Sequence, residues 1–263
     1  MKRLMTNSAR ALVAIATAAV STACATRAPN TAATPLPEMG TGVVGPAGAS
    51  ALTMSRDVHW ARNSAEHRAV YLEVYRAAGE RLATLISGHP RGSWGVIVDA
   101  DETTLDNSEY QRSRISSGGT FDAASWSAWV NQGRATALPG APEFVALVHQ
   151  LGGKVIIVTN RDEAQCPVTR ANLGAAAITA DLVLCKGLAS DKNPRFESVQ
   201  RGTAASGFPA LVVLEWIGDN IEDFPLATQN IRSGSDEAFA KFGDTYFVLP
   251  NAMYGSWEKN PRR

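Results

Sequence analysis

Gly95-Val96-Ile97-Val98-Asp99-Ala100-Asp101-Glu102-Thr103-Thr104 is the stretch on which the fold turns. Its apolar first part shows no polar alternation, so it reads as a strand buried on both faces. The strand gives way at once to two acids one residue apart. Similar apolar runs recur at Val155–Val158, Leu182–Leu184 and Leu211–Ile217, with a fifth at Tyr246–Leu249. Helical stretches lie between them, around 142–151, 164–174 and 194–206. This alternation predicts an α/β fold, a doubly wound parallel sheet with helices on both faces. Sheets of that kind place their chemistry beyond the carboxyl ends of the strands.

The residues just past each run therefore carry the functional signal. The second run leads into Thr159-Asn160-Arg161. Beyond the third comes Ser190-Asp191-Lys192-Asn193-Pro194-Arg195-Phe196, and beyond the fourth Gly218-Asp219-Asn220-Ile221-Glu222-Asp223-Phe224. One D-x-D is common turn chemistry. Four polar clusters at or shortly beyond four strand ends form a constellation.

Upstream of the first strand, Asn63 and Glu66 are spaced as a capping box. Tyr71, Tyr75, Ala78, Leu82 and Leu85 then fall on one helical face, and Gly88-His89-Pro90 closes the helix. Residues 106–137 are long enough for a small cap. With residues 60–88 they are expected to form a helical lobe over the site.

The N-terminal part reads differently. Lys2, Arg3 and Arg10 precede the apolar run 11–20, which is too short to span a bilayer, and small residues come after it. Residues 1–24 are thus expected to be an export signal. Ala23-Cys24 resembles the end of a lipobox, with Cys24 as the lipidated residue. Ala23-Cys24-Ala25 also suits ordinary signal cleavage. Residues 25–55 carry Pro29, Pro35, Pro37 and Pro46 and read as a flexible tether. All the aromatic residues lie between Trp60 and Trp257, so the core is expected within 56–263.

Composition narrows the function. The 263 residues hold 25 Lys+Arg against 25 Asp+Glu, with 45% hydrophobic and 19% charged residues. This is an ordinary globular balance, which argues against disorder and against binding a nucleic-acid polymer through bulk charge. Loss of the signal would leave the exported chain mildly acidic. No G-x-x-x-x-G-K-[ST] is present, which removes a P-loop NTPase.

The constellation suits phosphoryl transfer. Asp99, first after the strand, can attack phosphorus. Asp101 shares its side of the extended chain and can protonate the leaving oxygen, then activate water. Two acids beside a phosphate need a cation between them. Asp219 offers a third carboxylate, and such hard oxygen ligands suit Mg²⁺. Thr159 and Lys192 can hold the non-bridging oxygens.

The D-x-D-x-T set, the Thr after the second strand, the distant Lys and G-D-N-x-x-D-F resemble the haloacid dehalogenase superfamily. More narrowly the chain resembles bacterial class C acid phosphatases, the secreted or lipoprotein 5′-nucleotidase-like branch. Trp60-Ala61-Arg62-Asn63-Ser64-Ala65-Glu66, Asp106-Asn107-Ser108, Pro139-Gly140-Ala141-Pro142-Glu143-Phe144 and Pro250-Asn251-Ala252-Met253-Tyr254-Gly255-Ser256-Trp257 share that likeness. It covers roughly residues 55–258. The resemblance implies Asp99 as nucleophile, Asp101 as acid and base, and Mg²⁺ held by Asp99, Asp219 and the carbonyl of Asp101. Thr159 and Lys192 would bind the phosphoryl group, with Asp223 orienting Lys192 or a metal-bound water. Trp126 and Tyr254 match positions where relatives stack a substrate base, and Asn160 is a further candidate for substrate contact.

The expected function is an exported, periplasmic or outer-membrane-anchored Mg²⁺-dependent phosphomonoesterase, with nucleoside 5′-monophosphates as favoured substrates. Two alternatives stay open: transfer of the phosphoryl group to an alcohol, and a non-catalytic surface ligand-binding lipoprotein on the same fold. The four histidines show no ligand spacing. Cys166 opens the helix after the second strand and Cys185 ends the third. Because the chain runs down that helix and back up the strand, both thiols should meet at one edge as a disulfide.

Overall fold

The computed structural model describes residues 54–262, so the expected signal, most of the tether and Cys24 lie outside the described residues. From the N-terminal side come helices α1 (Arg56–Asn63) and α2 (Ala65–Leu85), strand β1 (Trp94–Val98), the two-residue strand β2 (Leu105–Asp106), and helices α3 (Ser108–Ser116) and α4 (Ala123–Val130). Strand β3 (Thr136–Ala137) pairs antiparallel with β2. The rest is α5 (Ala141–Leu151), β4 (Lys154–Asp162), α6 (Cys166–Ala175), β5 (Leu182–Lys186), α7 (Asn193–Arg201), β6 (Val212–Gly218) and β7 (Tyr246–Val248).

The five apolar runs are the five strands of one parallel sheet, ordered β5-β4-β1-β6-β7. β1, which carries the D-x-D at its end, is central. Strand alternation sends Val96, Val98, Val155 and Ile157 to one face, where Tyr71, Tyr75, Ala78 and Leu82 of α2 and Phe144, Val145 and Val148 of α5 cover them. Ile97, Ile156 and Val158 point the other way, under Phe196 and Val199 of α7 and Phe224. Burying a side chain such as Leu82 or Ile156 contributes about 1.5–3 kcal/mol, so both layers hold the sheet firmly.

Three expectations need correction. The Asn63/Glu66 capping box does not form. Asn63 is the last residue of α1, and Ser64 caps α2 by accepting from His67 N at 3.1 Å. A serine one residue on, in extended backbone, meets the free N–H groups better. The helix expected to run to residue 206 stops at Arg201, because Gly202 adopts φ 71° and an added Cβ would lie 2.6 Å from Ala210 N. Finally, α2, expected in the helical lobe, belongs to the sheet's covering layer, packed on α5, β6 and β7, while α1 packs on α3.

Candidate active site

The site begins where β1 ends. Asp99 N still donates to Ile217 O on β6 at 2.9 Å, so the carboxylate is held by the sheet itself. The chain then folds back tightly, with Thr104 and Leu105 N–H both bonded to Ala100 O. Two tyrosines of α2 clamp this turn from below: Tyr71 Oη donates to Glu102 O at 2.6 Å and Tyr75 Oη to Thr103 O at 2.8 Å. Glu102 takes φ 54°, uncommon for a residue with a side chain. Its buried carboxylate accepts Asn107 N at 2.9 Å, which helps to fix that turn.

Lys192, just before α7 and 5% exposed, bridges two acids: Nζ lies 2.5 Å from Asp99 Oδ1 and 2.6 Å from Asp223 Oδ1. Asp223 Oδ2 also accepts Asn220 N at 2.8 Å. That approach requires Gly218, since a Cβ there would meet Asp223 Oδ2 at 2.4 Å. Asp219 accepts from Thr103 Oγ1 at 3.1 Å and from Asn251 Nδ2 at 2.8 Å.

These acids strain one another. Burial, with Asp223 and Asp101 nearby, pushes Asp99 up to about 7 although Lys192 opposes the shift. Burial and the charges of Asp223 and Asp99 hold Asp219 well above the usual carboxylate range. Burial alone would lower Lys192, but Asp223 and Asp99 outweigh it and raise the ammonium above its ordinary value. The local charge is thus three acids against one lysine. Oxygens of Asp99, Asp219 and Asp223 lie within 4.8 Å of one another. That excess negative charge on hard oxygen donors fits a divalent cation.

Asp101 points to a different partner. Arg161, 1% exposed, sets Nε 3.0 Å from Asp101 Oδ1 and Nη2 2.8 Å from the same oxygen. Asn107 Nδ2 adds a bond to Oδ1 at 2.8 Å, and Trp129 Nε1 fixes Asn107 through its Oδ1 at 2.8 Å.

A cleft of about 470 Å³ opens over this floor, a size that suits a small-molecule site. Asp99, Asp101, Lys192, Asp219, Asp223, Asn160, Trp126 and Tyr254 all border it. Thr159 is the exception. It is wholly buried, does not line the cleft, and its Oγ1 accepts Arg161 N at 3.2 Å. Its hydroxyl oxygen braces the turn that aims Arg161. Asn160 Oδ1 is itself occupied by Arg195 Nη2 at 2.6 Å. Cys166 and Cys185 are joined by a disulfide with Cα atoms 5.9 Å apart. A groove of similar volume lined by Phe196, Trp216 and Tyr246 lacks these convergent acids.

Sequence reasoning gave no role to Arg161, Asn107, Thr103, Asn251, Gln111 or Arg114. Arg161 left one usable signal, an arginine at the end of a strand that reads as buried.

With that geometry in view, comparison with known proteins is decisive. The model of the HAD superfamily, subfamily IIIB (Acid phosphatase), matches residues 46–257. The chain belongs to that family. Among solved structures of such acid phosphatases, the class C acid phosphatase of Bacillus anthracis superposes with a TM-score of 0.69 at 25% identity, covering 77% of this chain and 85% of that one. The same enzyme with tungstate bound gives the same figures. Acid phosphatase 1 of Solanum lycopersicum is 36% identical over 97 residues, 36% of this chain. The match spans only 37% of the length of that relative. Among the described residues, no helix is long and apolar enough to cross a membrane.

Proposed function

We propose that the chain is an exported Mg²⁺-dependent phosphomonoesterase that works through a phosphoryl group carried on Asp99, with nucleoside 5′-monophosphates as its main substrates. The observation that carries this reading is the pairing of Asp99 with Lys192 and of Asp101 with Arg161 at one cleft floor. The two acids are held by different cations, which equips them for different tasks.

In the first step an Asp99 oxygen attacks phosphorus, and the bond to the ester oxygen breaks. Asp101 gives that oxygen its proton, so an alcohol leaves. In the second step Asp101 takes a proton from water, whose oxygen attacks the phosphoryl group and returns Asp99 as a carboxylate. Lys192 holds Asp99 in place and supplies fixed positive charge where negative charge gathers on the phosphoryl oxygens. Asp223 and Asn220 N keep Lys192 aimed. Asp99, Asp219 and the carbonyl of Asp101 would hold Mg²⁺, which when bound neutralises charge on the acids and the phosphate.

The bound tungstate of the Bacillus anthracis relative supports a tetrahedral oxyanion as ligand of this fold. Phe121, Trp126 and Tyr254 border the cleft and offer flat surface to a planar leaving group. The test is phosphate release from nucleoside 5′-monophosphates by the purified chain with Mg²⁺ and with chelator. Release that needs Mg²⁺ and is lost in Asp99→Asn is expected. Equal release by that variant rejects the mechanism. Export and anchoring rest on residues 1–24, and intact mass of the mature protein tests them. A chain starting after Ala25 without lipid rejects the Cys24 anchor.

A further inference from the structure

Gln111 and Arg114 stand three residues apart on α3, so their side chains share one face of the helix. Both border the active-site cleft, and the chemistry above uses neither. Gln111 is only 3% exposed, an unusual place for a glutamine. Arg114 Nη2 donates to Gln111 Oε1 at 2.8 Å. A guanidinium has donors only, so this contact decides which end of the amide faces Arg114. Nε2 is turned the other way and donates to no protein atom among the described residues. Arg114 Nε is buried without an acceptor. Nε2 is not among the buried unpartnered atoms, so it reaches the cleft and is free to donate to a ligand there in place of water.

We propose that Gln111 is a specificity-determining residue: its Nε2, aimed by Arg114, hydrogen-bonds an acceptor on the rim of a planar leaving group lying against Phe121, Trp126 and Tyr254. This rests on the phosphomonoesterase reading above and deepens it. In this proposal Nε2 faces position 6 of the base, and because it can only donate it favours a 6-oxo purine, whose exocyclic atom accepts, over a 6-amino purine, whose exocyclic group donates.

The test is steady-state kinetics of the full chain with Mg²⁺ on inosine 5′-monophosphate, adenosine 5′-monophosphate and phenyl phosphate. The native protein should favour the inosine substrate in kcat/KM by about 3- to 10-fold, mainly through KM. Gln111→Glu keeps Arg114 paired but presents an acceptor, so it should reverse that order. Gln111→Leu should bring the ratio close to one. Phenyl phosphate, with no polar rim on its leaving group, should change less than about 2-fold in either variant, below the effect of one hydrogen bond. A merely structural glutamine would shift all three substrates together. An unchanged inosine-to-adenosine ratio in Gln111→Glu, with phenyl phosphate still turned over, overturns the inference and leaves the phosphatase reading intact. If that variant loses phenyl phosphate turnover, the ratio in Gln111→Leu decides the matter by the same rule. No release from any of the three by the native protein overturns the phosphatase reading and this inference with it.

Discussion

Arg161 grips Asp101 along one edge, with Nε 3.0 and 3.2 Å from its two carboxylate oxygens and Nη2 2.8 Å from Oδ1. A planar fork against a carboxylate fixes orientation as well as charge. Trp129 and Asn107 complete the mount, and both are buried. Asp101 is therefore held in one pose before any substrate arrives.

Removing the fork should cost the proton transfer and leave binding nearly intact. Arg161→Met is expected to lower kcat by about 100-fold, the lower end for a general acid and base, with KM changed only a few-fold. The loss in kcat/KM should be smaller on p-nitrophenyl phosphate than on a nucleoside 5′-monophosphate, because its leaving group needs little protonation in the first step. Arg161→Lys should recover only part of kcat, since an ammonium lacks the fork. Equal losses of kcat/KM on the two substrates would contradict the role of Asp101 as the acid of the first step.

Lys192 joins Asp99 to Asp223 inside the protein, so its removal leaves buried acids without their cation. Lys192→Met should destabilise the chain by about 3–5 kcal/mol at pH 8 in chelator. Asp99 already sits at about 7 through burial, and without Lys192 it would rise further. A carboxyl whose folded-state value is raised favours the folded state at low pH and loses that contribution as pH rises. The deficit of the variant should therefore shrink between pH 8 and pH 5. Denaturant titrations at both values check this; an equal deficit would speak against the pairing.

The strands, their order of chemistry and the acids at their ends were all legible because each is a local matter. An apolar run announces a buried strand, and a parallel sheet brings its ends together. Asp99, Asp101, Lys192 and Asp219 follow from that rule, Asp223 from the family resemblance, and the structure gathers all five at one cleft. The partners were not legible. Arg161 reaches Asp101 across 60 positions and Lys192 reaches Asp99 across 93; such pairings depend on the register of β1 against β4 and on where α7 starts. Asn63 misled because Ser64 competes for the same cap.

Glu215 on β6 is fully buried, and neither carboxylate oxygen has a hydrogen-bond donor. Burial pushes it up to about 9, only partly offset by Arg81. Its ordinary value is 4.5, so between the two the unfolded chain has lost a proton that the folded chain keeps. The stability it contributes is complete below the lower value and is lost as pH rises toward the upper. The slope can reach about 1.4 kcal/mol per pH unit for one group. Glu215→Gln should flatten that slope and stabilise the chain at pH 8 by about 1–3 kcal/mol, measured by urea unfolding across pH. An unchanged slope would contradict the assignment.

The Cys166–Cys185 bridge ties the start of α6 to β5 across 19 positions. A loop of that length contributes about 3 kcal/mol by restricting the unfolded chain. Replacing both cysteines with serine should lower stability by that order. Turnover at 25 °C should stay within about 2-fold, because neither cysteine lines the cleft and substitutions away from a site cost little. Thermal unfolding and kinetics of the double variant check both statements.

In the proposed mechanism Asp99 carries the phosphoryl group while Asp101 manages the proton. Asp101→Asn should still let Asp99 attack an activated phosphomonoester but should slow the release of the phosphorylated protein. Acid-quenching this variant with radiolabelled p-nitrophenyl phosphate and Mg²⁺, then mapping the label, tests the claim most directly. Label is expected on the peptide holding Asp99, and none when Asp99→Asn is added. Label on another residue, or phosphate release that persists without Asp99, would contradict it.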